Sequence, residues 1–148
     1  MPISDYFRKV STDVVTHHSM ARPRRLVDLN ENREQTDLQV PATLRFHLAN
    51  GEVLDAPTVK EISIGRRSRP TDPAVTLDLQ QHGGFTHGVS RYHAMIVAVK
   101  GVLYLRDLNS INGTFLNTYK LLPITSYALK NGDVVMLGDL EATIEFCS

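Results

Sequence analysis

Residues 88–117 read GVSRYHAMIVAVKGVLYLRDLNSINGTFLN. Two polar, turn-forming stretches, 88–93 and 107–114, bracket two apolar segments, 94–99 and 102–105, which meet at Lys100-Gly101. Short apolar runs joined by a glycine-containing turn read as a β-hairpin. A hairpin brings both polar stretches to the same end of a sheet. Hydroxyls, an arginine and an asparagine then converge on one surface patch, which is chemistry for holding an anion. No nucleophile with a neighbouring base and no metal-ligand spacing accompanies them.

Outward from this stretch the same pattern continues. Residues 43–48 (TLRFHL) alternate with period two and lead into Asn50-Gly51, a two-residue hairpin signal, and then Glu52-Val53-Leu54. Residues 61–64 alternate again before Gly65, and 75–79, 114–117, 120–122, 134–137 and 142–146 complete the candidate strands. None of the chain after residue 42 carries a convincing 3.6-residue period. Short strands with turns every eight to twelve residues predict an all-β sandwich or barrel. In such folds the strands are spent on the core, so function falls to the loops. The longest connection, 66–87, carries Arg66, Arg67 and Arg69 and is too long for a simple connector.

Residues 1–41 differ in character. Phe7, Val10 and Val14 fall at helical spacing after Ser4-Asp5, a candidate cap, but Arg22-Pro23-Arg24-Arg25 and 31–35 are polar and proline-broken. They read as a polar tail, disordered or loosely docked, with a regulatory arm as the sharper reading. The domain proper spans 42–147.

Composition narrows the function. The 148 residues carry 16 Lys+Arg and 16 Asp+Glu, and 42% are hydrophobic. A formal net charge of zero argues against a general nucleic-acid or anionic-membrane binder, whose affinity needs excess positive charge. The single cysteine, Cys147, rules out an internal disulfide and reads as a packing residue. No run is long enough to span a membrane and the N-terminus lacks a signal-peptide core, so a cytoplasmic protein, or a soluble piece of something larger, is expected. A monomer is expected as well. His17, His18, His47, His82 and His87 show no ligand spacing, so neither metal nor cofactor is expected. Residues 88–92 (GVSRY) approach the G-x-S-x-G nucleophile elbow, but Tyr92 stands where a small residue is needed. No P-loop occurs. The chain reads as a binding protein, not an enzyme.

Gly65-Arg66, Ser90-Arg91-x-His93, Asp107-x-x-Ser110-x-Asn112-Gly113-Thr114-x-x-Asn117 and Leu129-x-Asn131-Gly132-Asp133, in this order and spacing, resemble the forkhead-associated (FHA) domain, with a bacterial protein expected. The resemblance covers residues 42–147. It implies an eleven-stranded β-sandwich that recognises phosphothreonine peptides at its apical loops without catalysis, in signalling by a Ser/Thr kinase. The partner it implies is a phosphothreonine-containing protein, a kinase or its substrate. The resemblance assigns Arg66, Ser90, Arg91 and Asn112 to the phosphopeptide. Gly65, His93, Ser110 and Gly113 support the loops, with His93 a structural tie. The chemistry agrees: a guanidinium is a planar fork suited to phosphate, and an asparagine amide both donates and accepts along an extended peptide.

One position departs from the pattern. Many members carry threonine between the serine and the asparagine, where its hydroxyl contacts phosphate, and this chain has Ile111. Arg67, Arg69 or Arg91 are candidates to replace the lost contact. The departure keeps open a phosphate-independent assembly module on the same fold. The arginine cluster Arg66, Arg67, Arg69 and Arg91 leaves a nucleic-acid-binding β domain as the weaker alternative. Thr36, just before the domain, is a candidate phosphosite, with Thr12 and Thr16 as alternatives, whose modified form would fold back onto the binding loops, as the resemblance implies for some bacterial members.

Overall fold

The structure is a computed structural model that describes residues 22–26 and 40–148. Eleven strands follow in order: β1 (Thr43–Leu48), β2 (Val53–Pro57), β3 (Glu61–Gly65), β4 (Leu77–Asp78), β5 (Ala94–Val99), β6 (Val102–Asp107), β7 (Thr114–Leu116), β8 (Tyr119–Lys120), β9 (Ser126–Ala128), β10 (Val134–Leu137) and β11 (Leu140–Cys147). One sheet has six strands in the order β2-β1-β11-β10-β7-β8, and the other has five in the order β4-β3-β5-β6-β9. All pairs are antiparallel except β3 with β4. This is the FHA-type sandwich that the motifs imply.

The period-two pattern sets which face each strand buries. Along β1, Leu44, Phe46 and Leu48 enter the core while Thr43, Arg45 and His47 face outward. On that outer face Arg45 forms a two-pronged ion pair with Asp55 of β2, and His47 meets Glu145 of β11 at 2.6 Å. The His47 contact holds the Glu145 carboxyl below its ordinary value. Opposite β1, Ile62, Ile64, Ile96 and Leu105 of the second sheet fill the core together with Val135, Leu137 and Ile144 of the first. Each such side chain withdrawn from water stabilises the fold by about 1.5–3 kcal/mol before entropy is counted.

Lys100 (φ 49°) and Gly101 (φ 78°) both take positive φ between Val99 and Val102, as a two-residue turn matched to strand twist requires. The Asn50-Gly51 turn differs from the two-residue expectation. Leu48 N donates to Glu52 O and Gly51 N to Leu48 O, so the loop holds three residues with Gly51 left-handed. Asn50 Oδ1 accepts the Glu52 amide and its Nδ2 donates to the Glu52 carboxylate, which favours the wider turn.

The strand expected over 75–79 shrinks to Leu77–Asp78. Thr76 and Ser63 exchange side-chain bonds in place of a ladder pair, and Asp78 Oδ1 takes the amides of Arg67 and Gln80, turning the chain into a 3-10 turn at Gln80–His82. Strand β9 has no sequence signal at three residues, and it forms the outer edge of the second sheet. Along that edge Ala128 N donates to Arg24 O at 2.6 Å, and Arg25 bridges antiparallel to Tyr127. The helix read after Ser4-Asp5 and the candidate phosphosites Thr12, Thr16 and Thr36 lie outside the described residues. Among the described residues no helix is long and apolar enough to cross a membrane.

Candidate functional site

One end of the sandwich gathers the motif residues. There β3, β6 and β10 end and β5, β7 and β11 begin, as the registers Ile64↔Ala94, Ala94↔Asp107, Leu137↔Thr114 and Leu137↔Leu140 place them. The two polar stretches that bracket the β5–β6 hairpin therefore share this end.

His93 joins them from beneath. It is fully buried, its Nδ1 accepts the Ser90 amide at 2.9 Å, and its Nε2 donates to Gly113 O at 3.0 Å. Accepting at one nitrogen and donating at the other fixes the neutral Nε2–H tautomer. Burial pushes the imidazole below its ordinary value. No group of three or more His, Cys, Asp or Glu side chains is gathered for a metal among the described residues.

Asp107 organises the second loop. It is buried, and its Oδ1 accepts the hydroxyls of Ser110 at 2.5 Å and Thr114 at 2.7 Å, while Oδ2 accepts the Ser110 amide. Ser110 Oγ in turn accepts the Gly113 amide at 3.0 Å. Gly113 sits at φ 87°, a left-handed conformation that glycine adopts freely. The loop is thus closed from inside, and its tip, Ile111 and Asn112, faces solvent. Ile111 is 88% exposed.

Ser90 and Ile111 meet across the loops. The Ser90 Oγ accepts the Ile111 amide at 3.1 Å, and the hydroxyl hydrogen has no acceptor among the described residues. Asn112 Nδ2 donates to Gly88 O at 3.0 Å, which leaves its second amide hydrogen and its carbonyl oxygen to other partners.

Arg66 enters from β3. Its Nε donates to Val89 O at 2.6 Å, its Nη1 to Ser68 Oγ at 3.1 Å, and its guanidinium lies 5.0 Å above the Phe85 ring. Three supports fix the plane of the fork and leave donors outward. The approach depends on Gly65: a Cβ there would lie 2.1 Å from Arg91 O, the carbonyl that also accepts the Arg66 amide.

Arg91 is half-exposed, with Nη1 3.7 Å from Asp72 Oδ1. The auxiliary candidates divide. Arg67 turns its Nη2 to Pro70 O within its own loop, and Arg69 is held through its backbone amide to Asp72. Ile111 offers its backbone amide to Ser90 and no side-chain donor.

Asn117, Asn131 and Asp133 lie at the opposite end. Asn117 bridges the Asp133 carboxylate and the Val134 amide, Asp133 accepts the Lys130 amide, and Asn131 accepts that of Phe146. That half of the motif closes a turn and stays away from the loops.

Several residues at the apical end were not among the sequence candidates. Phe85 supports Arg66, and Asp139 takes His87 Nδ1 at 2.8 Å. Gly138 packs so closely that a Cβ would lie 2.5 Å from His87 O. Asp72 is buried beneath the β3–β4 loop, where its Oδ2 accepts the Ser68 amide, the Ser68 hydroxyl and the Arg69 amide. Burial opposes its ionisation, but the Ser68 hydroxyl, these amides and Arg91 together hold its carboxyl below the ordinary value. Only Thr71-Asp72-Pro73, a turn signature, hinted at it in the sequence.

A family model described as the FHA domain matches residues 62–138. The FraH protein of Nostoc sp. is 31% identical over 102 residues, which are 68% of this chain and 34% of that protein. The chain thus spans about a third of the length of that curated relative. The solution structure of the FHA domain of an Arabidopsis thaliana hypothetical protein is 30% identical, with a TM-score of 0.57 over 79% of this chain and 96% of that one. A structure from a study of phosphothreonine-dependent FHA domain interactions is 28% identical, with a TM-score of 0.54 over 72% of this chain and 98% of that one.

Proposed function

We propose that this chain, which belongs to the FHA domain family, reads phosphothreonine in extended peptides and catalyses nothing. In this reading residues 42–147 are the recognition domain, acting as a monomer in cytoplasmic Ser/Thr-kinase signalling, and residues 1–41 are an arm. Arg66, Ser90 and Arg91 take the phosphate, and Asn112 takes the peptide main chain beside it. Gly65, His93, Ser110 and Gly113 keep the loops in place. Thr36 is the phosphosite through which the arm would act on the loops.

The observation that carries the reading is the state of Ser90. Its hydroxyl oxygen is engaged by Ile111 and its amide by His93, so its remaining hydrogen is the donor on offer, next to Val89, whose carbonyl anchors Arg66. A phosphate monoester brings roughly −1.5 to −2 charges and three strong acceptors to such donors. Each charge-assisted bond contributes on the order of 1.5–3 kcal/mol. The likeness to a domain studied for phosphothreonine-dependent interactions supports the same conclusion.

Calorimetric titration with phosphothreonine, phosphoserine and unphosphorylated versions of one oriented peptide library tests it. Binding of the phosphothreonine pool alone is expected. Equal binding of phosphorylated and unphosphorylated pools would overturn it. A second reading, phosphate-independent assembly, is favoured by one feature, the bare Ile111 side chain at the loop tip. That reading expects the equal-binding result.

A further inference from the structure

Two arginines of the apical end converge on a single carboxylate that the functional reading leaves unused. The Asp72 side chain is 5% exposed. Its two oxygens are not equivalent. Oδ2 is saturated by the Ser68 amide at 3.0 Å, the Ser68 hydroxyl at 3.0 Å and the Arg69 amide at 2.9 Å. Among the described residues Oδ1 has one partner, Arg91 Nη1, at 3.7 Å. The same Ser68 hydroxyl that donates to Asp72 accepts from Arg66 Nη1. One buried carboxylate therefore touches Arg91 directly and Arg66 through a single hydroxyl.

We propose that Asp72 is an internal competitor for Arg91: it occupies that guanidinium in the free protein and surrenders it when an anion enters the apical site. The inference rests on the phosphate-binding reading of that site. A separation of 3.7 Å lies beyond hydrogen-bond range, so Arg91 is attracted without being locked. A half-exposed side chain held in that way exchanges one anion for another at little cost in order. Arg66 is placed differently. Its bond to Val89 O, its stacking on Phe85 and its neutral partner Ser68 leave it fixed before any ligand arrives. The site thus pairs a fixed cation with an exchangeable one, and entry of the phosphate is an exchange at Arg91 with Asp72 as the anion displaced.

Asp72 is a positioning residue in this scheme and does not touch the ligand. Asp72→Asn is the direct test, because an amide oxygen can keep the three bonds of Oδ2 while the charge facing Arg91 disappears. The scheme expects the phosphothreonine peptide pool to bind the variant about two- to fivefold more tightly, the range of a partly exposed ion pair. It also expects the gain to vanish when Arg91→Ala is added, a coupling that a purely structural role would not produce. Unchanged or weaker binding in a variant of normal melting temperature overturns it, as does a gain that survives Arg91→Ala. If the variant folds poorly, the unmodified protein decides. Its Asp72 carboxyl carbon resonance moves on saturation with the pool if the proposal holds, and a stationary resonance overturns it. A wild-type protein that binds phosphorylated and unphosphorylated pools equally sinks the functional reading instead. Inorganic phosphate then serves as the probe of Asp72, with the same expected gain in Asp72→Asn and the same overturning results.

Discussion

The Ile111 amide donates to Ser90 Oγ, so the residue that lacks a hydroxyl of its own fixes the rotamer of the hydroxyl that remains. Backbone does here what a side chain at position 111 could not. The bond also ties the β6–β7 loop to the β4–β5 loop at the tip, above the His93 tie below.

Restoring a hydroxyl at the tip should add to this arrangement without disturbing it. Ile111→Thr keeps the backbone amide and replaces an exposed apolar side chain. Phosphothreonine-peptide affinity is expected to rise about tenfold or more, at about 1.5–3 kcal/mol for one charge-assisted bond, with the melting temperature unchanged. Calorimetry and a thermal melt on the same preparation check both halves.

Arg66→Ala removes the fixed fork and should weaken phosphopeptide binding at least tenfold, at about 1.5–3 kcal/mol per charge-assisted bond. Stability should barely move, because the side chain lies at the rim. Arg66→Lys should recover little, since an ammonium cannot at once donate to Val89 O, meet Ser68 and stack on Phe85. Comparable affinities for the lysine variant and wild type would contradict the role given to the fork.

His93→Ala should act on stability before binding. It leaves the Ser90 amide and Gly113 O without their partner in a buried place, at about 1–3 kcal/mol for each group. Denaturant unfolding should show the loss even with no ligand present.

His93 also predicts a pH dependence. Its imidazole sits below the ordinary value of 6.5 in the folded protein. A group whose folded value is depressed contributes stability that is fully present above the unfolded value. That stability is lost as pH falls from about 6.5 toward the folded value, because the unfolded chain takes up a proton that the fold refuses. The loss from one such group cannot exceed about 1.4 kcal/mol per pH unit. Unfolding curves between neutral and mildly acidic pH should steepen in wild type relative to His93→Gln. Parallel curves for the two proteins would show that another group governs the slope.

Much of this was legible in the sequence because the fold rests on alternation and on turn residues with narrow backbone demands. Lys100-Gly101 announced its hairpin, and Leu44, Phe46 and Leu48 announced the buried face of β1. The apical residues Arg66, Ser90, His93 and Asn112 were legible through motif spacing. Strand β9 was not, since three residues at an edge have no period to read. Asp72 was not either, because its role depends on a loop that folds back on itself. Nothing local in the sequence places Ser68, Arg69 and Arg91 around one carboxylate. The size of the 50–51 turn was decided by the Asn50 side chain bonding to Glu52, a choice that the dipeptide alone leaves open.

The segment beside β9 has a consequence for solubility. An edge strand with unpaired amides and carbonyls is a template for a neighbouring molecule. Arg24 covers the Ala128 amide and Arg25 lies against Tyr127, and the segment doing so is RPRR, charged and broken by proline. Proline offers no ladder donor and clustered positive charge repels its own kind, so a further strand finds no second edge to extend. A chain shortened to begin at Val40 would keep the recognition loops and lose this guard. Its characteristic fault would be association through β9, growing with protein concentration and relieved by adding the detached segment as a peptide.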